Sequence, residues 1–317
     1  MNMKEGQLRV AVVQAAPILF DKLSSLTQIA SWTKDAAAKG AKLVVFPEVF
    51  ISGYPRGLTF GTRVGSRSTE GRQDWARYWE SAIDIPGEDT AILGEIAREA
   101  GVYLVIGVVE RDQEFSRGTL FNSILYMGPD GSVLGKHRKL VPTGAERLLW
   151  GQGDGSTLTV IDTPFGRIGG LICWENYMPL ARMAMYAKGI DILITPTADA
   201  RDTWQATLQH IGCEGRCFVI SSNQFVTKES YPVDLACYGD ISQDSDILSR
   251  GGSAIVGPLG GYVTGPLFDQ EGMIIADLDL SLVTQSRFDF DATGHYSRPD
   301  VFQLIVNNQK QDILRTI

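Results

Sequence analysis

Apolar and polar positions along the chain follow two rhythms. Short, nearly unbroken apolar runs alternate with longer stretches in which apolar residues recur every three or four positions, as expected for buried strands interleaved with amphipathic helices. Residues 8–13 form the first run and 41–46 the second, with helical spacing over 23–38 stopped by Gly40. Such a strand–helix–strand unit implies a parallel pair joined by a crossover. Residues 87–100 predict a helix closed by Gly101, and 102–109 a strand. Residues 119–127 and 132–139 predict a hairpin around the turn Gly128-Pro-Asp-Gly131. A second hairpin is expected over 157–162 and 167–172, then a helix over 179–188, a strand over 191–196 and a helix over 203–215 that leads into a strand from Cys217. Late strands fall at 253–256 and 273–280. Residues 56–84 read as an insertion over a sheet edge, 225–250 as a surface excursion and 287–308 as irregular. Two segments share the outline strand, helix, strand, proline: Val10 to Pro47 and Ile168 to Pro196. The expectation is an α/β chain built as a duplicated unit, one domain over residues 1–317.

Composition narrows the functions open to such a fold. A net charge of −8, with no basic cluster longer than Lys136-His-Arg-Lys139, argues against nucleic acid and anionic membrane surfaces as partners. No apolar run approaches the roughly 20 residues that span a bilayer. The amino terminus lacks a signal-peptide core, so a cytoplasmic protein is expected. Four cysteines in 317 residues do not form a disulfide framework. His210, Cys213 and Cys217 share one helical face and could ligate zinc, but small and apolar residues at that spacing also describe a core face. No fourth ligand lies nearby, and no metal is expected.

Candidate chemistry gathers at strand ends, where ligands collect in open α/β sheets. Glu48 follows the second strand, Lys139 ends the first hairpin and Cys173 ends the second. Asn176 and Pro179 read as the opening of a helix, which places Cys173 on an exposed bend near a positive dipole end and favours its thiolate. The alternative for Cys173 is an ordinary buried side chain, and for Glu48 a solvated loop acid. Together the three groups are complementary. An amine beside a thiol lowers its pKa and stabilises an anionic intermediate, while a carboxylate moves protons. A cysteine–histidine protease is the rival, yet His137, His210 and His295 sit in no recognisable protease signature.

At these residues the sequence resembles the nitrilase family of carbon–nitrogen hydrolases. Phe46-Pro-Glu48, His137-Arg-Lys139-Leu-Val-Pro-Thr143, Glu146-Arg and Gly170-Leu-Ile-Cys173-Trp-Glu-Asn176 occur in family order, followed by Pro196-Thr-Ala-Asp199, Glu214-Gly-Arg and Gly251-Gly-Ser. The resemblance implies a four-layer αββα sandwich. It also implies Cys173 as nucleophile, Glu48 as general base, Lys139 as stabilising cation and Glu146 as a supporting second glutamate, with no metal and no organic cofactor. Cys-Trp-Glu-Asn is similar to true nitrilases rather than amidases, and Gly53-Tyr54-Pro-Arg-Gly resembles plant nitrilases and their bacterial relatives. The implied reaction is hydrolysis of a small-molecule organic nitrile to acid and ammonia; an amidase using the same triad is the alternative. Tyr54, Thr143, Trp150 and Trp174 flank the catalytic positions and could wall a pocket for an arylaliphatic nitrile or β-cyanoalanine, or simply pack. With the chain ending at Ile317, a homodimer or modest homo-oligomer is expected rather than long spirals.

Overall fold

The structure, a computed structural model, describes residues 7–314; the signal-peptide reading of the first residues lies outside them. The first half comprises β1 (Gln7–Gln14), α1 (Lys22–Ala38), β2 (Leu43–Val45), the small pair β3 (Thr62–Arg63) and β4 (Ser66–Arg67), α2 (Thr69–Ser81), α3 (Glu88–Ala100), β5 (Tyr103–Arg111), β6 (Leu120–Met127) and β7 (Val133–Arg138). The second half runs β8 (Val160–Thr163), β9 (Gly166–Gly170), α4 (Pro179–Ala187), β10 (Ile192–Ile194), α5 (Asp202–Gly215), β11 (Phe218–Ser221) and β12 (Phe225–Thr227). It closes with β13 (Ile247–Val256), β14 (Tyr262–Phe268), β15 (Gly272–Asp279) and α6 (Ser281–Ser286).

One sheet has the order β15-β1-β2-β5-β6-β7 and the other β12-β13-β11-β10-β9-β8, with β14 on β13. The centre of each is parallel, β1-β2-β5 in one and β9-β10-β11 in the other, so the duplicated outline is real at the level of topology. Alternation along each strand explains the solid apolar runs. In β1, Ala11 and Val13 pack with Leu26 and Ile29 of α1 and Leu93 and Ala97 of α3, while Leu8, Val10 and Val12 pack with Ile192, Ile194 and Phe218 of the other sheet. The far face of the second sheet meets α4 and α5 through Leu193, Val219, Met185 and Leu208. The result is four layers, αββα, with both faces of both central sheets covered.

Helix ends follow local rules. Asp21 caps α1, its carboxylate accepting from Ser24 N at 3.0 Å. Gly101 closes α3 in the left-handed region at φ 62°. Three sequence expectations need correction. The insertion contains a helix, α2, whose buried face is Gly71, Asp74, Tyr78 and Ser81: helical spacing, but not an apolar pattern. Residues 225–250 are not merely a surface excursion. Their ends enter the sheet as β12 and β13, and Val226, Tyr231 and Ile241 are buried against Leu19. Asn176 does not cap α4. That helix begins after Met178, and Asn176 is buried in a preceding turn, its amide donating to Leu171 O at 2.8 Å and Cys173 O at 2.9 Å.

Candidate active site

The two sheets contribute different chemistry to one place. Glu48 lies just past the end of β2 and Lys139 directly after β7, both in the first sheet; Cys173 lies three residues past β9 in the second. Cys173 is the first residue of a short helical turn and adopts φ 50°, a conformation rare for a side-chain-bearing residue. Its backbone N–H donates to Pro196 O at 2.9 Å, which holds the bend against the end of β10. Val49 beside Glu48 is also at positive φ, 41°. Backbone strain at both positions is consistent with geometry imposed by function.

Lys139 is the hub. Its ammonium donates to Glu48 Oε1 at 2.8 Å and to Glu146 Oε2 at 2.7 Å, and Lys139 and Glu48 have no solvent exposure at all. Asn122 Nδ2 also donates to Glu48 Oε1, at 2.7 Å. Glu48 Oε2 is buried and has no partner among the described residues. Glu146 is held by three donors: Lys139, the backbone N–H of Thr143 at 2.7 Å, and Tyr54 OH at 2.7 Å. Thr197 Oγ1 donates to Cys173 Sγ at 3.1 Å.

Electrostatics overturn the expected thiolate. Burial, then the charge of Glu48, pushes the Cys173 thiol up to about 12, and Lys139 and Thr197 only partly offset this. The dipole contribution is weak because α4 starts at Pro179, beyond the turn, and the thiol is 5% exposed rather than open. Burial also holds the Glu48 carboxyl above its ordinary range, opposed by Lys139. For Lys139 burial favours the neutral amine, but its acidic neighbours, Glu48 first among them, outweigh it and hold the ammonium above its ordinary value. The thiol therefore rests neutral, beside a Lys139 ammonium that hydrogen-bonds Glu48 on one side and Glu146 on the other.

Beside the thiol lies a cavity of about 590 Å³ lined by Cys173, Glu146, Thr143, Tyr54 and Trp174, with Arg56, Arg201 and Arg250 among its charged residues. Trp174 is 39% exposed; its Nε1 donates to Asp199 at 2.9 Å and the Arg201 guanidinium stacks 4.9 Å above its ring. Trp150 does not line this cavity. It stands behind Tyr54, ring centroids 5.7 Å apart and edge-on, and faces a neighbouring hollow.

Several participants escaped sequence reasoning. Asn122 and Thr197 are short polar residues, one inside β6 and the other three residues past β10, and the one signal for Asn122 was the polar pair Asn122-Ser123 inside an apolar run. Gln224 Nε2 donates to Glu48 O at 2.6 Å, fixing the base from the opposite sheet. Glu175 is fully buried and receives Ile172 N and Leu140 N, both at 2.6 Å, and His137 Nε2 at 3.0 Å. It thereby ties the Cys173 bend to the strand end that carries Lys139. The zinc reading finds no support in placement. His210 and Cys213 are exposed while Cys217 is buried, His210 pairs with Glu214, and no group of three potential ligands occurs among the described residues.

Residues 9–288 match the carbon–nitrogen hydrolase family, and the chain belongs to it. Its place is in the nitrilase branch, alongside bacterial and plant enzymes. It is 50% identical to an aliphatic nitrilase of Sinorhizobium fredii, over 98% of this chain and 99% of that one. It is 48% identical to a bifunctional nitrilase/nitrile hydratase of Nicotiana tabacum, over 97% of this chain and 88% of the other. Among solved structures, a Saccharomyces cerevisiae member of branch 10 of the nitrilase superfamily superposes with a TM-score of 0.68 at 22% identity, covering 93% of this chain and 99% of that one, a likeness of fold. No helix among the described residues is long and apolar enough to cross a membrane.

Proposed function

We propose that this enzyme hydrolyses an organic nitrile to a carboxylic acid and ammonia, with Cys173 as nucleophile, Glu48 as general base, Lys139 as electrophilic cation and Glu146 as the group that holds Lys139 in place. One observation carries the assignment. Glu48 commits Oε1 to Lys139 and Asn122 and leaves Oε2 buried without a partner, its charge acting directly on the Cys173 thiol. A carboxylate held in this way is poised to accept a proton.

Sulfur bonds to the nitrile carbon while the thiol proton passes to Glu48 and on to nitrogen, giving a thioimidate. Because the resting thiol is neutral, attack and proton transfer are coupled. Glu48 then removes a proton from water as its oxygen adds to the same carbon. Lys139 faces the charge that develops in the tetrahedral species. The proton held on Glu48 and the proton of the new hydroxyl both pass to nitrogen as the carbon–nitrogen bond breaks, so ammonia leaves and an acyl-thioester remains. A second water, activated the same way, breaks the carbon–sulfur bond and restores the thiol. Two waters are consumed for each acid and ammonia formed.

Tyr54 and Trp174 supply aromatic surface to the cavity. The relatives' nitrilase names support nitriles over amides. The decisive measurement is ammonia release from nitriles set beside their matching amides. Turnover of amides with none of nitriles would move the enzyme to amidase chemistry. Cys173→Ala should abolish turnover while retaining the far-UV circular dichroism of the parent.

The protein also self-associates, as a homodimer or larger homo-oligomer. Exposed apolar side chains on α4 and in the carboxyl-terminal segment, Leu180, Phe302 and Ile305, support this. A monomer by light scattering at micromolar concentration would overturn it.

A further inference from the structure

We propose that Arg56 is a substrate-recognition residue and that the nitriles taken by this enzyme carry a carboxylate at the end remote from the reacting carbon. The inference rests on the nitrilase reading above and adds the substrate class.

Most of the charges that line the cavity are already paired. Arg201 is spent on Asp199. Arg250 pairs with Asp269 at 3.1 Å and reaches Asp202 at 3.8 Å. Glu146 is spent on Lys139. Arg56 is the one cation of the cavity wall that makes no ion pair among the described residues. It borders the neighbouring hollow as well, where the carboxylate in the wall is again Glu146.

Arg56 is also held as a recognition residue would be. Its backbone carbonyl accepts from Tyr231 OH at 3.0 Å, and its N–H donates to Tyr54 O at 2.8 Å. Its guanidinium lies 5.6 Å from the centroid of the Tyr54 ring. A single side-chain hydrogen bond, Nη2 to Ala198 O, anchors it to the residue after Thr197, whose hydroxyl donates to Cys173 Sγ. A guanidinium carries five N–H donors in a planar fork that matches a carboxylate. Here the other donors have no protein acceptor among the described residues. Pre-ordering the fork before binding removes much of the entropy cost of using it. A charge left unpaired in a part-buried wall is costly to keep unless something arrives to meet it.

A different role for Arg56 predicts different data. If it merely offset the negative charge of the Glu48–Lys139–Glu146 chain, its loss would alter every nitrile alike and shift the pH profile. Recognition instead affects one class of substrate and acts through KM.

The test compares ω-cyanobutanoate with its methyl ester, measuring ammonia release by the full-length enzyme and by Arg56→Gln and Arg56→Lys. The readout is the ratio of kcat/KM for the acid to that for the ester, so each protein is its own reference and partial loss of folded enzyme cancels. The wild-type ratio should exceed one by about tenfold or more, the scale of a charge-assisted hydrogen-bonded pair. In Arg56→Gln the ratio should fall by a similar factor, mainly through KM for the acid; in Arg56→Lys it should fall less. A wild-type ratio at or below one, or one unchanged in Arg56→Gln, overturns the role of Arg56 and leaves the nitrilase reading standing if the ester is turned over. Amide turnover with no ammonia from any nitrile overturns both.

Discussion

Glu48 is exposed to two opposing influences, and the balance between them sets the working pH. Burial raises its proton affinity, whereas Lys139 and the hydrogen bond from Asn122 lower it. The base must be ionised to accept a proton, so activity falls as pH drops through the raised pKa of Glu48. Removing the Asn122 donor withdraws stabilisation from the carboxylate and moves that pKa further up. Asn122→Leu, close in volume, should therefore shift the acid limb of kcat/KM to higher pH and lower kcat at neutral pH by about tenfold, less than the roughly 10²–10⁴-fold a general base contributes in full, because Glu48 itself remains. A pH–rate profile checks it; an unmoved acid limb would remove Asn122 from the proton chemistry. At this scale the sequence was legible where a residue type announced itself. Glu48, Lys139 and Cys173 stood out because charged or reactive groups ended apolar runs. Asn122 and Thr197 did not, because short polar residues inside or just after strands have many ordinary uses. The ionisation of Cys173 was misread for a related reason: the helix expected beside it starts several residues later, and burial outweighs the dipole.

Elements bring these residues to one point, and close approach between them is part of the design. Gly107 lies in β5 where the chain segment carrying Glu48 crosses it. A Cβ there would sit 2.3 Å from Pro47 O, 2.4 Å from Val49 N and 2.7 Å from Glu48 Cα, all backbone atoms that cannot swing aside. Phe50 N and Ile51 N both donate to Gly107 O, so the crossing is pinned by hydrogen bonds as well. Gly107→Ala should destabilise the protein by about 1–3 kcal/mol, the usual range for overpacking, and lower kcat in the surviving folded fraction because Glu48 must move. Chemical denaturation with active-site titration of the thiol separates the two effects; a variant with parental stability and kcat would show that the crossing is loose. The strands and long helices were readable because alternation and the three-to-four spacing of apolar residues survive in them. α2 was not, because apart from Tyr78 its buried face is small or polar. Asp74 there accepts from Ala236 N and Cys237 N, docking the helix onto the 230s loop by hydrogen bonds that leave no hydropathy signal.

The site exists only when the two sheets face each other, since each supplies part of it. Apolar contact accounts for most of that docking, but specific polar links set its registration. Ser222 Oγ donates to Val13 O at 2.8 Å, and His137 of β7 meets Glu175 of the Cys173 turn with both side chains fully buried. Burial opposes charge on each partner of that second link, yet for both the mutual attraction prevails. His137 is held above its ordinary value of 6.5 and Glu175 below its ordinary 4.5. The pH dependence then has a definite sign. A histidine whose pKa is raised on folding stabilises the fold fully below 6.5, and the contribution is lost as pH rises through the raised value. A glutamate whose pKa is depressed stabilises fully above 4.5, and its contribution is lost as pH falls through the lowered value. The pair therefore supports the sheet–sheet contact best between those limits and progressively less on the alkaline side. His137→Gln keeps a hydrogen-bonding side chain but cannot carry the charge. It should cost about 3 kcal/mol at pH 6, the scale for breaking a buried ion pair. That cost should shrink as pH is raised, because the wild type loses what the variant never had. Denaturant unfolding of both proteins across the pH range measures the difference directly. A stability gap that stays constant with pH would mean that His137 is neutral throughout and that the two sheets are joined there by an ordinary hydrogen bond.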